Sequence, residues 1–294
     1  MPVDALLAEK QLNTVILVDE AAAIPTPQLQ QLTDLYSRLV FATTEHGYEG
    51  TGRGFQLRFQ SYLQQHCPGF QKLHLHQPIR YQANDPLEQL IFKGFLLEQT
   101  DSIITAPLQP KAFSYPIKDL LLQPQKLQQI FSLLSLAHYQ TDVMDLWALL
   151  DNPAVKLYTL EQDQQVIACA LISFEGELDA ELASAVAHGK RRVQGHLLAQ
   201  SLAFHCLQPE LATQKMARIQ RIVVHPLVQS QGIGSQLLSF VLKDLSEQQY
   251  LIGTSFGATL ALAKFWQKAG FHPVKLSHQH EQASNEASVL MLYG

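Results

Sequence analysis

The chain has 294 residues, of which 47% are hydrophobic and 16% are charged, and its formal net charge is -5. This composition is typical of a globular protein long enough for two domains, and it excludes an intrinsically disordered chain. The negative balance gives no overall attraction for nucleic acid, so an RNA partner would require a local basic patch.

The cysteines and the apolar runs exclude further classes of protein. The three cysteines lie far apart, which excludes a disulfide framework and a metal site built on a CxxC pair. The longest apolar runs, such as VIACALISF from Val166, are about half of the roughly 20 residues that a membrane helix needs. The N-terminal MPVDALLAEKQLN has no basic segment followed by an apolar core, so we predict no secretion signal and expect a cytoplasmic location.

The first predicted element is a buried parallel strand within NTVILVDEAAAIP, which begins at Asn13. A short β-branched run that ends in two carboxylates is typical of nucleotide-hydrolysing proteins. There the first acid, here Asp19, holds Mg²⁺ through water, and the second, here Glu20, orients the attacking water. The alternative is a core strand followed by two solvated acids.

A second strand is predicted in RLVFATT from Arg38, and the glycine-rich stretch EHGYEGTGRGF follows it. Its glycines permit close approach of the backbone to a ligand, and Arg53 among them suits an anion. The alternative is a flexible loop in which this arginine is solvated. Arg80 follows a proline turn and precedes a helix that is predicted to begin at Asp85 and Pro86. The candidate nucleotide-binding residues are therefore Asp19, Glu20, Arg53 and Arg80.

Two histidines in the same region raise the question of a metal site. His74 and His76 alternate on a predicted strand, but no third ligand is spaced nearby. We therefore expect structural or solvent-facing roles for both rings and predict no metal site.

Residues 111–150 are predicted to join the two halves through helices. Apolar residues recur at helical spacing in KLQQIFSLLSLAHYQTDVMDLWALLDNP. The Asp-Asn-Pro sequence that begins at Asp151 marks a boundary. The predicted organisation is an N-terminal domain in residues 1–110, a helical connector in 111–150 and a C-terminal domain in 151–294.

The second half alternates strands with helices, which indicates an α+β sheet of mixed direction. A hairpin is predicted from VKLYTLEQ and QVIACALISFEG, and two helices follow in ELDAELASAVAHGK and HLLAQSLAFHC. The strand ARIQRIVVHP, the helix GIGSQLLSFVLKDLSEQ, the strand YLIGTSF, the helix TLALAKFWQKAGF and the strand ASVLMLY complete the domain. A glycine loop lies between the central strand and the helix after it.

That loop carries the pattern Q-x-x-G-x-G, formed by Gln229, Gly232 and Gly234. Backbone amides and the positive end of the following helix would accept a pyrophosphate without a lysine. A dinucleotide-binding loop would need a parallel strand-helix-strand unit at the start of a domain and an acid further on, and neither is present. The other alternative is a plain turn into the helix.

The spacing of this loop resembles that of the acetyl-coenzyme A loop in the GNAT acetyltransferases. The later stretch AKFWQKAGF, from Ala263, is similar to the helix-to-strand corner of that superfamily, which commonly reads FYEKLGF. The resemblance covers roughly Val155 to Tyr293, and it implies a GNAT-type mixed α+β sheet domain in residues 151–294.

A larger set of motifs resembles the bacterial tRNA(Met) cytidine acetyltransferases over nearly the whole chain. In order, these motifs are DEAAAIP, HGYEGTGRGF, PIRY followed by NDPLE, AHYQT, RRVQGHLLAQ, RIVVHP and SFGAT followed by FWQKAGF. Those enzymes join an ATP-consuming, helicase-like module to a GNAT domain and acetylate N4 of the wobble cytidine in elongator tRNA(Met). The implied fold class is α/β, with a partial P-loop, RecA-like helicase module in residues 1–110 ahead of the GNAT domain.

The resemblance also implies the residues that bind acetyl-coenzyme A. The pantetheine arm would lie along the backbone of Ile222, Val223 and Val224. Lys268 matches a basic position that contacts the cofactor, and its alternative is a solvated cation at a helix end. The pyrophosphate would bind the loop residues Gln229, Ser230, Gln231, Gly232, Ile233, Gly234 and Ser235.

The sequence departs from the family pattern in ways that bear on ATP and tRNA. Only about a dozen residues precede the acidic strand, and the single Gly-Lys pair is Gly189 with Lys190. A Walker loop would need glycine in place of Ser184 and Ser or Thr in place of Arg191, so we expect ATP and Mg²⁺ to bind weakly or not at all. The segment HEQASNEAS lacks an expected Ser-Ser-Gly, and the family continues into a tRNA-binding tail past the position of Gly294. We therefore expect slow acetylation of tRNA by this chain alone.

Two histidines are the candidates for proton transfer. Trp266 stands at the corner where many GNAT enzymes have a tyrosine that protonates the thiolate, and an indole cannot supply that proton. By elimination His225, at the end of the cofactor strand, and His196, in RRVQGHLLAQ, remain. A structural role is the alternative for each histidine.

Lys190, Arg191 and Arg192 form the only dense positive cluster in the sequence. They are candidate RNA-binding residues, with the cofactor's phosphate or a solvated loop as alternatives. A cytidine in an anticodon loop is single-stranded and can be splayed out, so a shallow pocket would suffice. Two other functions stay open: a remnant that binds acetyl-coenzyme A without turnover, and a GNAT enzyme that acts on a protein or small-molecule amine.

Overall fold

The computed structural model describes residues 1–8, 14–44, 55, 59–77, 79–80, 82, 85–96, 104, 107–137, 143–280 and 287–294. The chain separates into two compact units, the first formed by Met1–Thr100 with His138–Ala148 and the second by Asp101–Ala137 with Leu149–Gly294. Within the described residues, no helix is long and apolar enough to cross a membrane.

The first unit is built around two short parallel strands. Its main elements are α1 (Val3–Ala8), β1 (Ile16–Val18), α2 (Thr26–Leu35), β2 (Leu39–Phe41), α3 (Gln60–His66) and α4 (Pro86–Gly94). Ile16 and Val18 are buried in one cluster with residues of α2 and α3, whereas Leu17 between them is 74% exposed. The strands predicted in VILV and RLVF are confirmed, and because they are parallel their carboxyl ends meet at the same edge.

The predicted start of α4 is also confirmed. Asp85 caps this helix, because its side chain accepts hydrogen bonds from the amides of Leu87 at 2.8 Å and Glu88 at 3.3 Å. Pro86 occupies the first helical position, where the backbone needs no donor. Arg80 lies shortly before this cap and is exposed.

The second unit is a seven-stranded sheet with helices on both faces. In chain order its elements are β3 (Lys111–Pro116), α5 (Ile117–Leu120), α6 (Pro124–Ala137), α7 (Val143–Leu150, shared with the first unit), β4 (Val155–Gln162), β5 (Gln165–Gly176), α8 (Ala180–Ala187), α9 (Leu197–Cys206), α10 (Pro209–Ala212), β6 (Lys215–Val224), α11 (Ile233–Glu247), β7 (Leu251–Gly257), α12 (Leu260–Lys268), β8 (Phe271–His280) and β9 (Ala287–Tyr293). The strand order is β3-β4-β5-β6-β7-β9-β8, and within the described residues β6 and β7 are the only parallel neighbours in this sheet.

The predicted mixed sheet is confirmed, with one correction at its edge. Residues Lys111–Pro116, expected to begin the helical connector, form β3 and pair antiparallel with β4, with Lys111 opposite Glu161. Phe113 and Tyr115 alternate with smaller residues, which is the two-residue period of a strand. The helical spacing on which the prediction rested begins only after this segment, in α5 and α6.

The apolar residues of the sheet divide between its two faces. On one face, the sheet packs against α11 and α12 around residues such as Leu237 and Trp266. On the other face, α8, α9 and α10 pack in a cluster that includes Met216. Because side chains alternate along a strand, the neighbours Met216 and Ala217 of β6 belong to opposite cores.

A polar contact ties β4 to α11 beside this core. The hydroxyl of the fully buried Tyr158 donates to Asp244 at 2.5 Å, and Lys156 Nζ lies 3.0 Å from the same carboxylate oxygen. Burial alone would raise the pKa of Asp244, but the hydrogen bonds from Tyr158 and Lys156 outweigh it and hold the pKa below its usual range. The ionised form of Asp244 is therefore favoured in the folded state.

We expect Asp244→Asn to cost about 1 kcal/mol of unfolding free energy at neutral pH, since the carboxylate is partly exposed. A depressed folded-state pKa gives stabilisation that is present above the unfolded pKa and is lost as pH falls through the folded value. The difference between wild type and variant should therefore shrink toward acid in urea unfolding at a series of pH values. Glu247→Gln, an exposed carboxylate on the same helix, is the control. If the difference in unfolding free energy between wild type and Asp244→Asn stayed constant down to acid pH, this interpretation would be wrong.

Candidate active site at a fork between two strands

The central strand β6 carries one extra residue at Gln220. Opposite β5, Ile219 pairs with Ile172 and Arg221 pairs with Leu171, so Gln220 has no residue opposite it. Such a bulge bends the strand and increases its local twist. It also shifts the alternation of side chains, because Ile219 before it and Ile222 after it, three positions apart, both pack on the core beneath α11.

The pairing of β6 with β7 stops beside this bulge. The last pair is Ile219 with Thr254, although β6 continues to Val224 and β7 continues to Gly257. The two parallel strands therefore diverge and form a fork. The side of β6 that faces the fork presents backbone groups that no longer pair with β7, and a buried backbone group of this kind needs a partner.

Thr254 fixes the closed end of the fork. Its hydroxyl donates to the carbonyl of Ile219 at 3.0 Å, and the residue is only 2% exposed. This side-chain bond is made at the last pair of the ladder, so it holds the two strands together at the point where they begin to separate. Sequence reasoning missed Thr254, since a single threonine in a strand carries no local signal for such a contact.

The loop after β6 is held by its own side chains. His225 begins a 3-10 turn at Pro226–Val228, and its Nδ1 accepts a hydrogen bond from the amide of Leu227 at 3.3 Å. Gln229 Nε2 donates back to the carbonyl of Val224 at 3.0 Å. These two contacts fold the loop back over the end of β6.

The loop then leads directly into the positive end of α11. Gly232 has φ +83°, a left-handed conformation that glycine adopts readily, and the amide of Gln236 makes the first helical bond to its carbonyl at 3.0 Å. The amides of Ile233, Gly234 and Ser235 therefore have no acceptor within the helix. Together with the dipole of a 15-residue helix, they favour an anion at this end.

The two glycines keep this end open. A Cβ at Gly232 would meet no atom within 4 Å, so the space in front of the loop is free. A Cβ at Gly234 would lie 3.4 Å from Val224 and 3.6 Å from Phe265, which places this turn close to both β6 and α12. Ile233 is buried and anchors the first turn, whereas Gln229, Ser230, Gln231 and Ser235 are exposed. The arrangement suits a pyrophosphate held by backbone amides.

The side chains of α12 divide between core and surface. Trp266 is 3% exposed and packs against the rings of Phe256, Phe265 and Phe271, with centroids 4.9 to 5.9 Å apart. It is a core residue here. Lys268 is the last residue of the helix and is exposed, as a cation at a helix end usually is.

The two candidate catalytic histidines lie at opposite ends of β6. His196 Nδ1 accepts from the amide of Gly176 at 3.0 Å, and Gly176 pairs with Lys215, the first residue of β6. His225 follows the last residue, so β6 separates the two by about 30 Å of strand. Each ring uses Nδ1 to accept a backbone hydrogen bond, which places the proton of the neutral ring on Nε2. This arrangement is typical of structural histidines.

A buried ion pair, which the sequence analysis did not identify, positions α9 on the other face of the sheet. Glu175 accepts from the amide of Leu198 at 2.6 Å and from Arg218 Nε at 2.5 Å, and it is 4% exposed. The side chain of Leu198 covers Gly253, where a Cβ would lie 2.8 Å from Leu198 Cδ1. Gly253 precedes Thr254, so the first turn of α9 lies beside the closed end of the fork.

The basic trio belongs to this same face. Lys190, Arg191 and Arg192 are exposed in the loop between α8 and α9, and the amides of Lys190 and Arg191 donate to the carbonyl of Ala185. The loop leads into α9, whereas the phosphate loop leads into α11 on the opposite face. The structure therefore brings the trio together with the start of α9 and separates it from the phosphate loop.

The candidate nucleotide residues lie in the first unit. Asp19 and Glu20 follow β1 and are exposed, and the amide of Glu20 donates to Asp19 Oδ1 at 3.0 Å. Glu20 has φ 49°, an uncommon conformation for a residue other than glycine. Arg80 is exposed, and Arg53 lies outside the described residues.

The described part of the chain contains no group of three or more His, Cys, Asp or Glu that could hold a metal ion. His74 and His76 are both exposed, and their rings lie 4.3 Å apart. Together they supply fewer ligands than a closed metal site needs.

The fork between β6 and β7, the bulge at Gln220 and the amide-lined loop before α11 together define a GNAT-type acetyltransferase domain. A family model described as GNAT acetyltransferase 2 matches residues 129–249 and 241–294, and one described as RNA cytidine acetyltransferase NAT10/TcmA, helicase domain, matches residues 1–98. The chain belongs to the family of tRNA(Met) cytidine acetyltransferases.

Two curated relatives agree with this assignment. The tRNA(Met) cytidine acetyltransferase TmcA of Nitrosococcus halophilus is 41% identical over 99% of this chain and 40% of its own length, and that of Vibrio cholerae is 43% identical over 100% of this chain and 42% of its own length. The chain thus spans about two fifths of the length of these curated relatives. A crystal structure of the ribosomal-protein-S18-alanine N-acetyltransferase from Escherichia coli aligns with 63% of this chain and 93% of its own, at 15% identity and a TM-score of 0.42.

We expect Gly232→Ala to weaken acetyl-coenzyme A binding at least tenfold in calorimetry, about 1.4 kcal/mol. The new methyl group would occupy the open space in front of the loop, and the left-handed backbone would be strained. Gly195→Ala is the matched control, because Gly195 has φ +84° and also no neighbour within 4 Å, but it lies before α9. If both variants lowered the affinity for acetyl-coenzyme A equally, the cause would be backbone strain and not the loss of open space in front of the loop.

We expect Thr254→Val to lower acetyl-coenzyme A affinity about fivefold, because it removes the bond that closes the fork while keeping the volume of the side chain. Thr159→Val is the control: Thr159 is fully buried and donates to Glu161 at 2.7 Å, away from the fork. Both variants should lose about 1 kcal/mol of unfolding free energy. If Thr159→Val also reduced the affinity, the effect would be one of general stability.

Proposed function

We propose that the chain transfers an acetyl group from acetyl-coenzyme A to N4 of the wobble cytidine of elongator tRNA(Met). The observation that carries the proposal is the fork beside Gln220, with the amide-lined loop at its open end. Family membership supports the acceptor, since the curated relatives are named for cytidine in tRNA(Met). A reaction on tRNA is expected to take place in the cytoplasm.

The fork and the loop divide the binding of acetyl-coenzyme A between them. Backbone groups of Ile222, Val223 and Val224 would hold the pantetheine arm in the manner of an additional strand. The amides from Gln229 to Ser235 would hold the pyrophosphate, and Lys268 would add a positive charge nearby. When bound, acetyl-coenzyme A supplies an acetyl group already activated as a thioester.

Orientation would be the main contribution of the protein to the chemistry. Cytosine N4 is neutral at physiological pH, so it requires no base before attack, but delocalisation into the ring makes it a weak nucleophile. Holding such a group at the thioester removes much of the entropic part of the barrier. Since His225 and His196 both use Nδ1 to accept from a backbone amide, we propose that each supports its loop or helix. As N4 bonds to the acetyl carbon, the C–S bond of the thioester would break and the N4 proton would leave late, to water. The departing coenzyme A thiolate would take a proton from water.

ATP belongs to the helicase-like part of the family, and Asp19, Glu20, Arg53 and Arg80 are the residues that would face it. The 294-residue sequence contains no Gly-Lys-Ser/Thr loop. Carboxylates that hold Mg²⁺ cannot replace the phosphate cradle, which makes most of the contacts to the β and γ phosphates. We therefore propose that this chain by itself binds MgATP weakly, and a micromolar dissociation constant would contradict that part of the proposal.

The proposal is tested by incubating the full chain with labelled acetyl-coenzyme A and an unmodified tRNA(Met) transcript, then digesting the RNA to nucleosides. We expect slow formation of N4-acetylcytidine, none on a transcript with uridine at the wobble position, and, at subsaturating acetyl-coenzyme A, a rate for Gly232→Ala that is lower by at least tenfold. Addition of MgATP should not change the rate.

Other outcomes select other functions. Label on a protein or a polyamine but never on RNA would replace the proposal by a different GNAT acceptor. Binding of acetyl-coenzyme A without transfer to any of these acceptors would identify a cofactor-binding remnant. Formation of N4-acetylcytidine on the uridine-substituted transcript would show that another cytidine is the target.

A further inference from the structure

Helix α9 exposes an apolar stripe that the core does not explain. Leu198 and Leu202 face inward and are buried, whereas Leu197 is 44% exposed and Phe204 is 47% exposed. Leu197 and Phe204 are seven residues apart, so they lie on one face of the helix, two turns from each other. Phe204 therefore presents an aromatic ring that is available for contact with a ligand.

The ring of Phe204 is braced against the chain that carries the basic trio. A Cβ at Gly189 would lie 3.0 Å from Phe204 Cε2, so the ring edge packs where only glycine leaves room. Gly189 has φ +71° and leads directly into Lys190. The ring is therefore held on one side by backbone, next to three consecutive positive charges.

The loop with the trio is fixed as well. Gln200, one turn into α9, accepts from the amide of Val193 at 2.8 Å, and its Nε2 donates to the carbonyls of Val193 and of His196. Both ends of the amide group are thus used to hold the loop on the helix. A surface whose backbone is set in advance loses less entropy when it binds a partner.

The next residue of α9 adds a second exposed ring to this surface. The ring of His205 contacts Phe204 edge to face at 5.1 Å. Within the described residues, the trio forms no ion pair with a carboxylate. The acid beneath α9, Glu175, is buried and already paired with Arg218.

We infer that the outer face of α9, with the loop of Lys190 to Arg192, is a platform for single-stranded RNA on which Phe204 stacks an unpaired base. The basic side chains would contact the phosphates, and an exposed ring between them provides a stacking surface that every base can use. An acidic polypeptide would satisfy the charges but would have no use for a braced aromatic ring, so the ring favours RNA.

The platform leads to the active site. Leu198, in the first turn of α9, packs on Gly253 beside the closed end of the fork. If the pyrophosphate binds the loop at the open end of the fork, the acetyl end of the bound molecule lies toward the closed end, and a strand bound along α9 would pass close to it. The inference deepens the proposed function, on which it rests, by assigning to this face the positioning of the nucleotides next to the target cytidine.

The test is fluorescence anisotropy with the full chain and a fluorescein-labelled RNA stem closed by a seven-nucleotide single-stranded loop. We expect Phe204→Leu to weaken binding roughly five- to 100-fold with the salt dependence unchanged, because stacking is lost and phosphate contacts remain. Replacement of Lys190, Arg191 and Arg192 by glutamine should lower the slope of log affinity against log salt by about 2. Phe113→Leu is the matched control, an exposed phenylalanine on β3 of the same unit.

Each result decides one question. Phe204→Leu binding RNA as tightly as Phe113→Leu, with both shown to be folded by thermal melting, would overturn the stacking role. If Phe204→Leu weakened the binding of labelled polyglutamate as much as the binding of RNA, the face would be a site for acidic protein instead of RNA. Acetyl-coenzyme A affinity is measured on the same variants: loss of RNA binding with that affinity intact supports the platform, and this holds even if no N4-acetylcytidine forms and the proposed function fails.

Discussion

A β-strand accepts an additional residue only by bending and twisting, and in this protein the additional residue is Gln220 of β6. The bend separates β6 from its parallel neighbour β7. It turns Ile222 and Val224 toward the core beneath α11, and this anchors the open part of the strand although it has lost one partner. The position of the phosphate loop follows, because the loop begins where β6 ends and the helix must pack back on the same core.

Both units place their candidate ligand groups at the same kind of location. In the first unit Asp19 and Glu20 follow β1, whose parallel partner is β2; in the second, the loop follows β6, whose parallel partner is β7. The carboxyl ends of parallel strands form an edge at which loops and helix starts converge. The chemistry at the two edges differs: carboxylates suit a cation, whereas amides at a helix start suit an anion. Glu20 also holds an uncommon backbone conformation, φ 49°, of the kind found at functional positions.

Features that depend on neighbours in the sequence could be predicted, and features that depend on distant partners could not. The strand, the glycine loop and the start of α11 are encoded within about 25 consecutive residues, and they are found as expected. The bond from Thr254 to Ile219 and the pair of Glu175 with Arg218 join residues 35 and 43 positions apart, and no local pattern announces them. The strand at Lys111–Pro116 was missed because the segment with a two-residue period is short and is followed directly by a long segment with helical spacing.

The contact between Gly253 and Leu198 has a consequence for how two substrates could meet. A glycine at this position lets α9 rest on the backbone of β7, and any larger residue would push the helix outward. This packing fixes the distance between the face of α9, which is expected to hold the acceptor, and the fork, which is expected to hold the donor. That distance is set when the chain folds. The two reactants would then be aligned with little reorganisation of the protein, because the site is preorganised and does not have to close around them.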